Sequence, residues 1–473
     1  MGGPQRSWRF WVGAGVCVAS TIGLVVVDAV EATLRAEATP TSVSLLLIAA
    51  VGFGLVIWAA ERGEVQKRWL WAVPICLRIV LMVFTTPTLS DDVYRYLWDG
   101  HLVSEGVNPY SFAISAPEGD AYEIDARALA NNPDMASPYL PTTQVVFGAA
   151  AVLLPSEPWV MQIIMTAFDL LAAWLIARLL ALASLPAHRV VLYLWNPLVI
   201  VEFAHAAHLD ALMVALALLA VWLTLRSEAH DLRAPVVLAL ATLTRPIPLL
   251  LVPVLWWRWN GAQRIAYGAT AVLGVVPFGI GSAGFGLFGD LTGTGVFGAA
   301  RIYSSDFRFN ALPSRWLENR VPDSYDALVL VAMALVIAAV MLRARTASSR
   351  ALLRLMSVPL MAYVLLTPVL HPWYLVLLVA ALVFLAPARD ESSLRWFDLA
   401  PWLYLVAVSP LTYLTYTDPI RFAERDWVRQ VEWLPTLALA VVAVAMYAAR
   451  RANYRGVDGS AVARTPPVSD QES

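Results

Sequence analysis

Lysine is nearly missing from this chain: among its 33 basic residues only Lys67 is a lysine, and arginine supplies the rest. Charge of either sign is scarce, at 14% of residues against about 25% in a soluble domain. With a net charge of -2 the chain offers no basic field, so no nucleic-acid partner is expected. The two cysteines, Cys17 and Cys76, both sit inside apolar runs, and such thiols make neither a disulfide framework nor a zinc site. No glycine-rich phosphate loop occurs, which argues against a nucleotide-dependent cytoplasmic reaction.

Apolar sequence is what the chain has in excess. Hydrophobic residues make up 59% of 473, more than a soluble fold can enclose without an oily exterior. A helical crossing needs roughly 20 apolar residues. Candidates recur near 10–29, 42–60, 69–87, 158–183, 189–202, 209–225, 263–281, 325–343, 352–368, 372–387, 399–416 and 433–449. The stretch 234–257 is interrupted by Arg245-Pro246 and Pro248 and reads as two half-helices meeting at Arg245. Lipid gives backbone N–H and C=O no partners, so the crossings must be helices. The expectation is an all-α polytopic integral membrane protein with about 12–14 transmembrane helices. It places one membrane domain over 1–453 and a disordered cytoplasmic tail, rich in Ser, Pro and Asp, over 454–473. Arg6 and Arg9 ahead of the first apolar stretch resemble a secretory leader, but the many later spans favour an uncleaved first helix.

Basic residues in short loops set the orientation. Arg62, Lys67 and Arg68, then Arg178 and Arg189, Arg226 and Arg233, Arg258 and Arg264, Arg343 to Arg354, Arg389 and Arg395, and Arg450 to Arg455 all fall on one side of a consistent alternation. That side is assigned to the cytoplasm, with both termini, in a cell inner membrane. The opposite face then receives two large loops, 88–157 and 282–324, the turns 203–208 and 417–432, the Arg245 tip and the turn at His371.

The residues able to do chemistry gather on that extracytoplasmic face. Residues 90–110, SDDVYRYLWDGHLVSEGVNPY, begin with Ser90 as expected N-cap and two acids where a helix's positive end favours anions. Asp91, Arg95 and Asp99 share one helix face, flanked by Tyr94, Trp98 and His101. The helix should end by Gly106. A solvated ion-pair ladder is the plainer account of this face. Glu202, His205, His208 and Asp210 fall in one short turn; a weak metal site, a phosphate or sugar site, and ordinary interfacial polarity all fit, and no metal is assigned. Arg245 is an intramembrane charge, which calls for an anion, an ion pair with Asp169, or a carbonyl. Asp169 itself reads as structural. In 301–320, Arg301, Arg308, Arg315 and Arg320 mix with aromatic residues, a pattern suited to phosphate or to lipid headgroups. His371, Trp373 and Tyr374 begin a span at the water boundary.

SDDVYRYLWDG with GVNPY resembles the first outer loop of the polytopic GT-C glycosyltransferases. More narrowly, it resembles the bacterial polyprenyl-phosphate-mannose-dependent mannosyltransferases of lipomannan type. WNPLVIVEFAHAAHLDAL, FRFN and HPWYL follow in that group's order, so the likeness runs from about residue 85 to 390. FRFN is shorter than the group's aromatic-Asn pattern, and Arg245 stands where many members carry lysine. The resemblance implies an inverting hexosyltransferase. Its donor would be a polyprenyl-phosphate-linked sugar, mannose first, and its acceptor a glycan or glycolipid met at the extracytoplasmic face among membrane lipid. No cofactor is implied. Asp91 is carried over as general base, with Asp92 as its nearest rival. Arg245, Arg301, Arg308 and His371 are assigned to the donor phosphate. Arg95, Trp98, Asp99, His205, His208, Asp210 and Tyr374 are assigned to acceptor or sugar. A flippase of a lipid-linked glycan, or a glycan polymerase or ligase, would use similar cationic loops.

Overall fold

The structure, a computed structural model, describes residues 8–31, 35–226, 231–281, 284–285, 287, 289, 293–305, 307–386, 396–417 and 424–462. Helices dominate. α1 (Trp8–Glu31), α2 (Arg35–Glu61) and α3 (Lys67–Phe84) precede the first large loop, which holds α4 (Asp92–Ser104) and α5 (Pro141–Leu153). There follow α6 (Pro158–Leu182), the bent pair α7 (Pro197–His205) and α8 (Asp210–Arg226), the short α9 (Arg233–Thr242) and α10 (Ile247–Arg258), and α11 (Gly261–Gly279). The second large loop leads to α12 (Tyr325–Ala344), α13 (Ser349–Leu366), α14 (Pro372–Leu385), α15 (Trp396–Thr415) and α16 (Asp426–Val462). The all-α expectation is qualified by one antiparallel pairing in the second loop, β1 (Ile280–Gly281) with β2 (Gly284–Phe285).

Seven helices among the described residues are long and apolar enough to cross a membrane, or eight if the bent pair is one span. The other apolar runs of the twelve to fourteen expected form helices that are shorter, bent or less apolar. The runs at 189–202 and 209–225 form the bent pair, whose halves meet at 116°. The run 234–257 is split around Arg245 into α9 and α10, and α14 is short. Short helices are tolerated at that depth only where protein encloses them and satisfies their backbone ends. The enclosure is visible: Val376 to Phe384 of α14 are all buried, whereas α12 and α16 bury only 11% and 17% of their apolar windows. α14 is therefore apolar on every face because it sits at the centre of the bundle. The tail expected from Tyr454 is helical as far as Val462, and its remainder lies outside the described residues, as do Arg389 and Arg395.

Two features fix the frame. α1 and α2 cross where a Cβ on Gly13 would stand 2.6 Å from the Gly52 carbonyl oxygen, and one on Gly52 would stand 2.8 Å from that of Gly13. Only glycine lets membrane helices approach that closely. Deeper in, the fully buried Arg78 of α3 donates through Nε to Asp169 of α6 and through Nη1 to the Leu194 carbonyl at 2.8 Å. Asp169 is thus structural, as its sequence context suggested, but its partner is Arg78. Removing one member strands a buried charge. Arg78→Met is expected to cost about 3–5 kcal/mol, read as a lower thermal midpoint in detergent; an unchanged midpoint would show that the pair carries no net stability.

Candidate active site

α4 starts at Asp92, with Asp91 in the N-cap position, one residue later than the expected Ser90 cap. Ser90 Oγ still accepts from the Asp92 N–H, at 3.3 Å. This one-residue offset decides which acid faces inward. Asp92 Oδ1 accepts from Asn131 Nδ2 at 2.6 Å, and Oδ2 lies 3.6 Å from His208 Nδ1. Its side chain is 15% exposed, while His208 is fully buried. Asp92 therefore joins water access to a buried imidazole. Asp91 is half-buried and forms the helix's first turn.

His208 comes from the bend between α7 and α8. Residues 201–205 are wound as a π-helix, a form that recurs at functional sites. Ala207 then takes φ +58, a left-handed conformation costing a β-carbon-bearing residue about 1–2 kcal/mol. The bend is tied down by buried Gln162, whose Nε2 donates to the carbonyls of Ala204 and His205 at 3.2 and 3.0 Å. His205 points elsewhere than His208: its Nδ1 meets Thr85 Oγ1 at 2.9 Å and its Nε2 meets Thr88 Oγ1 at 3.2 Å. It fastens the end of α3 to the bend, so His205 and His208 do not form a shared ligand pair.

Glu202 completes the inner side. Its Oε2 lies 3.3 Å from His208 Nε2, and Tyr413 of α15 donates to both of its carboxylate oxygens at 2.7 and 2.9 Å. Trp373 stacks on the His208 ring at 4.0 Å, and His371 stacks on the other side of Trp373 at 4.5 Å with planes 6° apart. Phe309 packs on His371 at 4.6 Å. Burial pushes the His371 pKa down to about 3, so at neutral pH it brings no charge to an anion. Any part it has in holding the donor phosphate then rests on hydrogen bonding and not on charge.

Arg245 sits in the break between α9 and α10, where Thr142 N–H donates to the Leu243 carbonyl at 3.0 Å and Thr143 Oγ1 to that of Thr244 at 3.3 Å. Its Nε donates to Asp210 at 3.0 Å, its Nη1 lies 3.5 Å from the Tyr374 hydroxyl, and its guanidinium lies over the Tyr374 ring at 5.0 Å. The carboxylate that answers it is Asp210, at the start of α8, and Asp169 is committed elsewhere. Arg245 keeps 16% side-chain exposure and Asp210 none, so the guanidinium presents its remaining N–H groups outward.

Other expected site residues have different employment. Arg95, Trp98 and Asp99 are about 1% exposed. Arg95 donates to the carbonyls of Asn131, Asn132 and Met135, and Asp99 accepts from Ser137 and Gln144. They clamp the first loop into a small core, which corrects their assignment to the acceptor or sugar. Burial raises the Asp99 pKa even with Arg95 nearby. Arg308 forks onto Glu318, with Nε and Nη2 contacts of 2.9 to 3.0 Å, and Arg301 is exposed in the second loop. The FRFN segment clips down the last quarter of the chain: Asn310, at φ +49, donates to Thr412 and Glu432 at 2.8 and 2.6 Å. Phe309 exchanges backbone hydrogen bonds with Pro368 and Leu370, which sets its ring on His371.

Asp92, Glu202, His208, Asp210, Arg245, Trp373 and Tyr374 thus come from four separated segments. Sequence reasoning passed over Asn131, Gln162 and Tyr413. Only Gln162 carried a signal, as a polar residue within an apolar span.

A family of proteins described as "Alpha-(1->6)-mannopyranosyltransferase, N-terminal domain" matches residues 11–261, more than half of the chain. The chain belongs to this family. Among curated relatives of this mannopyranosyltransferase family is alpha-(1->6)-mannopyranosyltransferase A of Mycobacterium tuberculosis (strain ATCC 25618 / H37Rv). It is 24% identical over 239 residues, or 46% of this chain and 42% of the relative. The match thus spans less than half of that relative's length. No solved structure matches. The family match covers α4, the α7–α8 bend and Arg245, while His371, Trp373, Tyr374 and Tyr413 lie beyond it. The mannopyranosyltransferase-family portion therefore holds the acid, the imidazole and the arginine, and the remainder supplies the aromatic backing.

Proposed function

We propose that the protein is a membrane mannosyltransferase that moves a mannosyl group from a polyprenyl-phosphate donor to a hydroxyl of a glycan or glycolipid acceptor at the extracytoplasmic face. The observation that carries this reading is the run of contacts that links a water-accessible carboxylate to a guanidinium: Asp92 lies against His208, His208 stacks on Trp373, and the adjacent Tyr374 lies under Arg245.

The chemistry follows from those two charges. Asp92 takes the acceptor's hydroxyl proton as that oxygen bonds to the anomeric carbon. The bond from that carbon to the phosphate oxygen breaks, and its electron pair leaves on the polyprenyl phosphate. Attack opposite the leaving group inverts the anomeric centre. Arg245 faces the charge that develops on the departing phosphate. A phosphate leaves as an anion without being protonated, so one carboxylate suffices where glycoside hydrolysis needs two. The helix start at Asp92 supports the assignment, because it sets this acid in the first turn, at the positive end of α4. Asp92 is therefore placed ahead of Asp91 as base, a reversal of the order drawn from the resemblance.

The test is incubation of membranes bearing the protein with radiolabelled polyprenyl-phosphate-mannose and, separately, its glucose analogue. A new glycosidic product from the mannose donor, with inverted configuration by NMR, is expected. Recovery of the lipid-linked sugar intact on the opposite side of sealed vesicles would identify a flippase instead, and a product formed only from a diphosphate-linked oligosaccharide would identify a polymerase or ligase.

A further inference from the structure

His208 is buried with neither ring nitrogen in a hydrogen bond of good geometry. It nevertheless stands between two carboxylates, with Nδ1 3.6 Å from Asp92 and Nε2 3.3 Å from Glu202. A buried imidazole with both nitrogens unbonded carries a desolvation cost of about 1–3 kcal/mol for each stranded group. Catalytic hydrogen bonds are often long before substrate binds and tighten in the loaded complex. Three neighbours of the ring are suited to an imidazolium. Two carboxylates flank its edges, and the Trp373 face lies 4.0 Å away, the arrangement in which an aromatic ring attracts a cation. Glu202 is itself held by Tyr413, so it can fix the tautomer that keeps the proton on Nε2 and leaves Nδ1 facing Asp92. The bend that presents His208 is maintained at the expense of a left-handed Ala207. A residue needed only for packing would not require that backbone.

We propose that Glu202 and His208 form a proton relay behind Asp92, in which they act as positioning residues for the base. The inference rests on the transferase reading given above. When Asp92 takes the acceptor's proton, the new Oδ2–H bond breaks toward His208 and an Nδ1–H bond forms. The resulting imidazolium is held between Asp92 and Glu202, and Asp92 is free of the proton again while the product departs. Once the product has left, the proton returns through Asp92 to water, and no other reactant is consumed. Other charged and titratable groups around the ring include Arg245, from the α9–α10 break, His205, from α7, and His371, across Trp373. These three are cationic or neutral, so the two carboxylates are what stabilise the positive ring.

Transfer from polyprenyl-phosphate-mannose is measured in membranes for the parent, His208→Gln, Glu202→Gln and the double variant, with kcat and donor KM separated. The relay predicts that His208→Gln lowers kcat about 100-fold while donor KM stays within about twofold, the pattern of a transition-state interaction. Glu202→Gln loses about tenfold or more in kcat, and the double variant loses no more than His208→Gln alone, because the two act as a unit. Should His208→Gln fail to reach the membrane, Glu202→Gln and Tyr413→Phe carry the test, each lowering kcat with KM held. Parent-level kcat in these variants overturns the relay, as does a raised donor KM at unchanged kcat or full additivity in the double variant. A parent that forms no glycosidic product sinks the transferase reading itself, and that outcome is told apart by the parent assay alone.

Discussion

Asp92→Asn is expected to abolish sugar transfer, lowering kcat on the order of 10²–10⁴-fold, the range attributed to a positioned general base. Asparagine keeps the shape and the contact with Asn131 Nδ2 through its oxygen, so expression and membrane insertion should stay at parental level. Asp91→Asn is the informative partner. Asp91 occupies the N-cap position and Asp92 is the acid beside His208, so the loss of Asp91 should cost less activity than the loss of Asp92. The measurement is initial rate at saturating donor for both variants in matched membranes. If Asp92→Asn transfers at the parental rate, Asp92 is not the base. If Asp91→Asn shows the larger loss, the ranking returns to the one implied by the resemblance.

The second large effect concerns Arg245. Arg245→Ala removes the only described side-chain cation touching Asp210, which has no exposed surface of its own. Two losses are expected together. A stranded buried carboxylate destabilises by about 3–5 kcal/mol, and a missing charge stabiliser lowers kcat by about 10²–10³-fold. Adding Asp210→Asn should return much of the thermal midpoint but none of the activity. Arg245→Lys sharpens the point: the charge is kept, but the planar fork that serves Asp210 and Tyr374 at once is lost. It should retain folding and show reduced turnover. Parental activity in Arg245→Ala, with intact folding, would assign phosphate binding to another group.

Much of the candidate site was legible as a list of residues and little of it as a set of partners. The acids of SDD, the VEFAHAAHLD turn, the Arg245 break and HPWY are polar or charged residues in apolar surroundings, and membrane burial makes such residues costly enough to stand out in a single sequence. Which of them meet was not readable. Arg78 and Asp169 lie 91 residues apart, Arg245 and Asp210 35, and Tyr413 and Glu202 211. No periodicity links residues across such gaps, because periodicity reports only one element's own faces. The same limit explains Arg95 and Asp99. Their i, i+4 spacing predicted a shared face and an ion pair, and the pair is present at 3.8 Å. Spacing could not say whether that face meets a ligand or the carbonyls at Asn131 to Met135.

The sequence by itself determined that this protein is a helical, multi-pass membrane chain, since hydropathy and the need to satisfy backbone groups in lipid are local properties of each segment. It also showed that many of its candidate site residues fall in or beside loops and helix breaks. The tertiary structure decided which runs form long helices and which form short or bent ones, because a short apolar helix such as α14 is stable only when other helices enclose it. It also decided that Asp92 and not Asp91 reaches His208, a matter of where α4 starts. A one-residue shift in a helix start turns a side chain by about 100°, which local propensity cannot resolve and packing against distant residues can.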